Sequence, residues 1–434
     1  MSSAERVTVG VIGFGTVGTG LIQFLLERAE RVGDLSLKKV AVANPAKPRE
    51  IAFDGITGDV REILDDPEIQ IVVELMGGDQ PASDYVLQAL ERGKSVVTAN
   101  KVVVSRHMRE LFDLARAKRV DLAFEASVAG SIPIIRILKG FESERILRVT
   151  GILNGTSNYI LSRMEEGLGF EAALKLAQEK GFAETDHILD TGGFDARDKL
   201  SIVASLAFNA PLDPERIYCE GITGITSIDL DFGGRYGVGE GEPGYAVKLL
   251  ATARLGEDGA LELHVYPALV QRHHPLASVY EEMNAIYLEG ERCGPQLYLG
   301  RGAGRHATTS AVVSDLLRLA ANRRRGIVDE LPSLTERVPV ADVRRLKRRG
   351  YVRLNLKHMP GSIAEATRIM GHHGFNIEDS VQRRRFQMEV EGQVFMPDIV
   401  TVEPLPYGVV EAALEALTAS DRVQGTPFYL RFEE

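Results

Sequence analysis

The stretch "RVTVGVIGFGTVG", residues 6–18, decides the fold. Residues 6–12, RVTVGVI, are a largely apolar run, the composition of a buried strand. Gly13, Gly15 and Gly18 follow at the spacing G-x-G-x-x-G and enclose Phe14, Thr16 and Val17. An apolar-periodic helix is expected next, over 20–32. A glycine triplet between a strand and a helix is the turn that holds a dinucleotide. Gly13 permits the tight turn, and Gly15 lets the backbone approach a pyrophosphate at the positive end of the helix. Gly18 lets helix and strand close up. The competing reading, a glycine-rich turn without a ligand, leaves that strand–turn–helix context unexplained.

Working outward, strands are expected at 37–44, 69–77, 94–100 and 120–128, with a helix at 81–93. Strands alternating with helices imply a parallel, doubly wound sheet, so residues 1–145 read as a Rossmann-type nucleotide domain. An NAD site usually places an acid at the end of the second strand to hold the ribose hydroxyls. Here that place is Ala43-Asn44, with Lys47 and Arg49 just beyond. Nothing there repels a 2′-phosphate and two cations can meet it, which tilts the reading toward NADP with NAD still open. Ordinary surface charge is the alternative account of both cations.

The pattern changes after about residue 145. Helical stretches at 157–180 and 198–208 and strands at 260–270 and 284–300 describe an α+β domain over 146–302. The segment 303–325 reads as a glycine-led helix rejoining the nucleotide domain. Residues 321–350 are rich in arginine and carry Pro332 and Pro339, so 326–349 reads as a linker. The tail, 350–434, follows the β-α-β-β-α-β order of a ferredoxin-like unit. The 434-residue chain is 44% hydrophobic and 26% charged, with net charge −10. That acidity argues against nucleic acid or an anionic membrane as a partner. Cys219 and Cys293 have no motif spacing, so neither a disulfide framework nor a cysteine zinc site is expected, and a reducing cytoplasm fits. No apolar run is long enough to span a bilayer, and the N-terminus runs straight into a strand rather than a signal peptide.

The acidic stretch "GFAETDHILDTGGFDARDK", residues 181–199, carries the chemistry. Asp195 and Lys199 are i and i+4 and share one helix face. On spacing alone a surface ion pair is the commoner outcome. In a partly dry cleft, a lysine beside a carboxylate can exchange a proton with a substrate oxygen. His187 offers one nitrogen without a second His or a Cys, which is a poor metal site. Lys101 closes "TANK" at the carboxyl end of a sheet strand, the end that faces a ligand crevice, and Thr98 and Asn100 line the same place. Asn154, Gly155, Thr156 and Ser157 make a polar helix start, open to plain capping or to ligand contact.

Taken together, the motifs "GFGTVG", "VVELMGG" (72–78), "GKSVVTANK" (93–101), "FEASVAGSIP" (124–133), "GILNGTSNYIL" (151–161), "GFAETD…DTGGFDARDKL" (181–200) and "GRGAGRHATTSAVVSDL" (300–316) resemble homoserine dehydrogenase with a C-terminal ACT domain. The resemblance runs nearly the whole chain. It implies an α/β protein with a Rossmann-type nucleotide domain, an α+β substrate and dimerisation domain and a ferredoxin-like ACT tail. The implied activity is interconversion of L-homoserine and L-aspartate 4-semialdehyde with NADP or NAD, in threonine, methionine and isoleucine biosynthesis. It further implies Lys199 as general acid/base, Asp195 orienting the substrate hydroxyl or an intervening water, a functional Lys101 within reach of nicotinamide and substrate, and Glu184 holding the substrate ammonium with Asp190 supporting. Thr98, Lys101, Gly181, Gly302 and Gly304 are expected near the cofactor. Main-chain oxygens of Glu125, Val128, Gly130 and Ile132 match a sodium site, for which an ion-free turn is the alternative. "HMPGSIA" and "GFNI" look like the ACT signature, so Gly361, Ser362, Asn376 and Ile377 are expected to meet an amino-acid effector, L-threonine by pathway logic, in a homodimer or homotetramer. Ser131, Ala307 and His187 stand where the family more often has Gly, Pro and Pro, and Ala43-Asn44 replaces its usual Arg-Asp. Two rivals are a phosphorylating semialdehyde dehydrogenase, which lacks a well-placed cysteine here, and an idle ligand sensor, which the intact Lys199, Asp195, Glu184 and Lys101 oppose.

Overall fold

Val7–Ile12, Leu35–Ala41, Ile71–Glu74 and Ser95–Thr98 are rich in β-branched residues, which favour a pleated, packed surface. In the computed structural model, which describes residues 6–27, 35–141, 143–236 and 243–433, they form the centre of a six-stranded parallel sheet. Its order is Ile56–Thr57, Leu35–Ala41, Val7–Ile12, Ile71–Glu74, Ser95–Thr98, Leu122–Ala123. The order reverses between Val7–Ile12 and Ile71–Glu74, and such a switch point opens a crevice at the carboxyl ends of the strands. Helices Thr16–Glu27, Ala82–Glu91 and Lys101–Lys118 connect the strands. The helix Arg305–Arg325 arrives from far along the chain, and its Val312, Leu316 and Leu319 share one buried core with Val9, Val11, Leu21 and Val73. Close packing sets that contact: a Cβ on Gly20 would meet the Thr309 hydroxyl at 2.3 Å.

The chain divides into two units. The first holds this sheet, the helix Phe194–Ala207 from Asp195 onward, and an antiparallel trio in which Met283–Gly290 pairs with both Ile146–Ile152 and Gly294–Arg301. The second comprises Thr156–Phe194, Tyr218–Glu281 and Pro339–Glu434. Its strands Tyr245–Leu255 and Leu261–Gln271 pair antiparallel. The tail runs strand Lys347–Lys357, helix Ser362–His372, strands Ile377–Gln382 and Gln393–Pro406, helix Tyr407–Thr418 and strand Phe428–Glu433. That last strand pairs parallel with Leu261–Gln271 and antiparallel with Lys347–Lys357, so one sheet carries both the tail and the middle of the chain.

Two buried polar clamps reinforce this joint. Asp229 is fully buried and accepts from Tyr351 Oη (2.7 Å), Arg353 Nε (3.0 Å) and the backbone and hydroxyl of Thr226 (2.7 and 2.9 Å). Arg431 is 2% exposed, donates to Glu220 at 2.8 Å, and lies over the rings of Tyr266 (4.4 Å) and Tyr407 (4.5 Å). A charge this deep persists only with a partner.

The structure departs from the sequence expectations at turns. The expected helix 157–180 is two helices, Gly155–Glu165 and Phe170–Glu179, parted where Gly167 takes φ +106°. The expected strand 120–128 ends at Ala123, because Ser127 bonds back to the Phe124 carbonyl through both its amide (3.0 Å) and its hydroxyl (2.6 Å). The strand region expected at 284–300 is an antiparallel hairpin, Met283–Gly290 and Gly294–Arg301, with Gly294 at φ +67°. The first helix is described only to Glu27, and the rest of its expected span, 28–32, lies outside the described residues. Among the described residues no helix is long and apolar enough to cross a membrane.

Asp229→Ala strands Arg353 and Tyr351 in the interior, and should cost about 3–5 kcal/mol of unfolding free energy in denaturant titration. A second prediction concerns Lys248, 1% exposed, which donates to the Val279 carbonyl at 2.6 Å and whose pKa burial lowers to about 8. Between pH 8 and the ordinary lysine value the unfolded chain holds a proton that the folded chain has released, so folding gains stability as pH rises through that window. The melting temperature of the native protein should therefore gain on that of Lys248→Met from pH 7.5 to 10.5; parallel curves would show that this lysine titrates normally.

Candidate active site

The glycine turn is built by contact. Gly13 has φ +109°, and a Cβ there would meet the Leu75 carbonyl oxygen at 2.7 Å. A Cβ on Gly18 would meet the Gly13 carbonyl oxygen at 2.4 Å, so this glycine is what lets the helix seat on the strand. Around Gly15 nothing among the described residues lies within 4 Å of a Cβ. The two outer glycines are thus required by the protein itself, and the middle one fronts open space, the cradle that a dinucleotide pyrophosphate fits. Phe14 is covered by the Arg49 guanidinium at 5.3 Å. Arg49 also donates to the carbonyls of Asn44 (2.8 Å), Pro45 (3.1 Å) and Lys47 (2.7 Å), which ties down the loop after the second strand.

Beyond that turn, in the same unit, lies an ion cluster. Asp195 and Lys199 start the helix Phe194–Ala207 and are 8% and 9% exposed. Lys199 Nζ donates to Asp195 Oδ2 at 2.7 Å and to the Leu153 carbonyl at 2.9 Å. Asn154 Nδ2 donates to the same Asp195 oxygen at 2.8 Å, and Lys101 Nζ sits 3.0 Å from the other. Burial pushes the Asp195 carboxyl up, but the charges of Lys199 and Lys101 and the hydrogen bonds from Lys199 and Asn154 prevail and hold it well below the usual carboxylate range. One carboxylate thus lies between two amines, and Lys101 keeps about a third of its side chain exposed. Two amines around one carboxylate leave a cationic surplus, an arrangement that can exchange a proton with an oxygen and favour negative charge on it.

Lys101, Asp195 and Lys199, named from the sequence, are therefore brought together. Asn154 joins them through its side chain. Asn284, which the sequence reading placed only within a strand, is fully buried and donates to the Leu153 carbonyl at 2.9 Å, sharing it with Lys199. A Cβ on Gly302 would meet the Asn284 amide carbon at 2.0 Å, so Gly302 serves packing at this point; Gly304 has φ +99° and caps the helix Arg305–Arg325 with open space beside it. Thr98 is fully buried and gives its hydroxyl to Glu74 at 2.5 Å, so that side chain faces inward. Glu125, Val128, Gly130 and Ile132 lie in a buried turn with Ala129 and Gly130 at φ +53° and +51°. The Ile132 carbonyl accepts from Ile134 N at 2.8 Å.

Glu184, Asp190 and Gly181 belong to the second unit. Glu184 is exposed; Gly181 has φ +75°; Asp190 accepts from Ser157 Oγ on its carbonyl at 2.8 Å. His187 Nδ1 lies 3.0 Å from the Thr191 hydroxyl. Among the described residues no group of three or more His, Cys, Asp and Glu could hold a metal ion.

A model of the homoserine dehydrogenase NAD binding domain matches residues 13–125, and one of homoserine dehydrogenase itself matches 133–317. The homoserine dehydrogenase of Synechocystis sp. is 37% identical, over 98% of this chain and 99% of its own. That of Pseudomonas aeruginosa is 36% identical over 99% of both chains. The chain belongs to the homoserine dehydrogenase family. The crystal structure of a homoserine dehydrogenase from Thiobacillus denitrificans superposes with TM-score 0.88 at 36% identity, covering 99% of each chain. Family membership makes this an NAD(P)-dependent oxidoreductase, and the glycine turn at 13–18 falls at the start of the matched nucleotide domain.

Two glycine variants separate fold from ligand. Gly18→Ala should lower the melting temperature, because its methyl meets backbone. Gly15→Ala should leave melting unchanged and weaken NADP binding by roughly tenfold or more in a fluorescence titration, since only the ligand needs that space.

Proposed function

We propose that the chain interconverts L-homoserine and L-aspartate 4-semialdehyde with a nicotinamide dinucleotide, and that Lys199 is its proton-transfer residue. The observation that carries this is the buried Lys199–Asp195–Lys101 cluster in a chain matched end to end by homoserine dehydrogenases. The bound nicotinamide supplies hydride acceptance and donation. The chain's own residues handle the proton and the charge. In the oxidative direction Lys199 takes the proton of the substrate hydroxyl; in reduction it returns one to the carbonyl oxygen. Asp195 holds both amines in place and orients the hydroxyl. Lys101 offers its positive charge to the same oxygen. Glu184 and Asp190 supply carboxylates for the substrate ammonium.

Further assignments rest on narrower support. NADP is the favoured cofactor: no acid stands in residues 42–49 just after the second strand, and Lys47 is exposed beside the loop that Arg49 secures. Carbonyls of Glu125, Val128, Gly130 and Ile132 offer oxygen ligands to sodium in their buried turn. Residues 350–434 act as an ACT regulatory domain for L-threonine at Gly361, Ser362, Asn376 and Ile377. In support, Ser362 starts a helix just after Gly361 at φ +87°, and its hydroxyl is buried without a hydrogen-bond partner among the described residues. The edge strand Gly294–Arg301 exposes Leu297 and Leu299, a surface that suits a homodimer or homotetramer. Both cysteines are thiols, in keeping with a reducing cytoplasm.

The test is absorbance of reduced nicotinamide on adding L-homoserine with NAD or NADP, with and without L-threonine. Lys199→Ala should reduce kcat by about 10²–10⁴ with unchanged circular dichroism. Near-normal turnover in that variant would remove Lys199 from the mechanism.

A further inference from the structure

Glu74 is a carboxyl in an otherwise apolar strand, Ile71–Glu74, and it is fully buried. It stands at the carboxyl end of the sheet, at the point where the strand order reverses. Its neighbours in register are Ile12, just before the glycine turn, and Thr98, three residues before Lys101. No ion pair to Glu74 is seen among the described residues, and its pKa is raised by burial. Its two oxygens have specific donors instead. Oε1 accepts from Met76 N at 2.6 Å, and Oε2 accepts from the Thr98 hydroxyl at 2.5 Å. The chain of bonds continues. Thr98 Oγ1 accepts from Asn100 N at 3.0 Å, and Asn100 donates through Nδ2 to the Gly78 carbonyl at 2.7 Å. Asn100 Oδ1 then caps the helix of Lys101, accepting from Val102 N at 3.1 Å. Lys101 is the first residue of that helix and reaches Asp195 at 3.0 Å.

We infer that Glu74 is a positioning residue for the reaction, acting through Thr98 and Asn100 to set where Lys101 meets Asp195. An apolar residue of similar size would fill the volume as well and spare the desolvation of a carboxyl. What only a carboxyl does here is accept from two backbone segments at once, Leu75–Gly78 and Thr98–Asn100, and hold them in one register. Small displacements at a reacting centre are costly: about 1 Å can lower a rate roughly 100-fold. The inference rests on the reading that Lys101 and Lys199 serve catalysis.

The experiment is a double-mutant cycle on the full-length enzyme: E74Q, K101A and E74Q/K101A, with K199A alongside, each measured for kcat, both KM values, melting temperature and NADP affinity by fluorescence. The side-chain amide of the E74Q variant has a single oxygen, so it can accept at only one of the two places. E74Q should lower kcat roughly 10- to 100-fold with NADP affinity held within about twofold. In the K101A background the same change should cost less than about twofold, because its effect passes through Lys101. A merely structural carboxyl would lower melting and cost the same factor in both backgrounds, which overturns the inference, as does wild-type kcat in a folded E74Q. Where E74Q fails to fold, T98V cuts the next link and carries the same two expectations. Full activity in K199A or K101A would instead overturn the catalytic reading itself.

Discussion

Asp195 is a carboxylate that can stay charged in the interior only because two amines face it. Isolated, it would cost several kcal/mol to bury, and Lys199 would be as costly. Together they satisfy each other, and Asn154 and the Leu153 carbonyl complete their hydrogen bonds. This mutual need places strict demands on the surrounding chain. The helix Phe194–Ala207 must present both residues on one face, and the strand Ile146–Ile152 must end where the Leu153 carbonyl can accept. Asn284 must reach that same carbonyl from Met283–Gly290.

The parallel sheet meets the remaining demand. Its strands direct their carboxyl ends toward one edge, and the reversal between Val7–Ile12 and Ile71–Glu74 leaves that edge open. The glycine turn follows the first of these strands, and Lys101 follows a neighbour two places away. A nucleotide cradle and an ammonium group are thereby set on the same rim by topology alone. Glu74 stands between them in the sheet, and its buried carboxyl accepts from Met76 N and the Thr98 hydroxyl on the way to Lys101.

In the second unit, a different principle holds the tail. Its final strand pairs with Leu261–Gln271, so the tail's backbone hydrogen bonds are partly supplied by the middle of the chain. The Asp229 and Arg431 clamps add buried charge pairs that are satisfied only in this register. A segment joined in this way shares its stability with the unit that carries it.

Much of this was legible in the order of residues. The run Val7–Ile12 followed by Gly13, Gly15 and Gly18 names a nucleotide turn, because glycine is the residue that such backbone geometry admits. The spacing of Asp195 and Lys199 puts them on one helix face. Turn residues were harder to read. The break at Gly167 and the back-bonding of Ser127 depend on local conformations that residue type alone does not specify, and the strand Tyr245–Leu255, buried almost throughout, has no alternation to betray it. Glu74 stood in plain view as an acid inside an apolar run, the one available signal, yet its partners Met76 and Thr98 are set by sheet register. Residue order alone thus determined the class of fold, the ligand turn and the pairing of one carboxylate with one lysine. Only the tertiary structure decided that Lys101, 94 positions before Asp195, completes the cluster, since burial and long-range distance are properties of the packed chain and not of any local stretch.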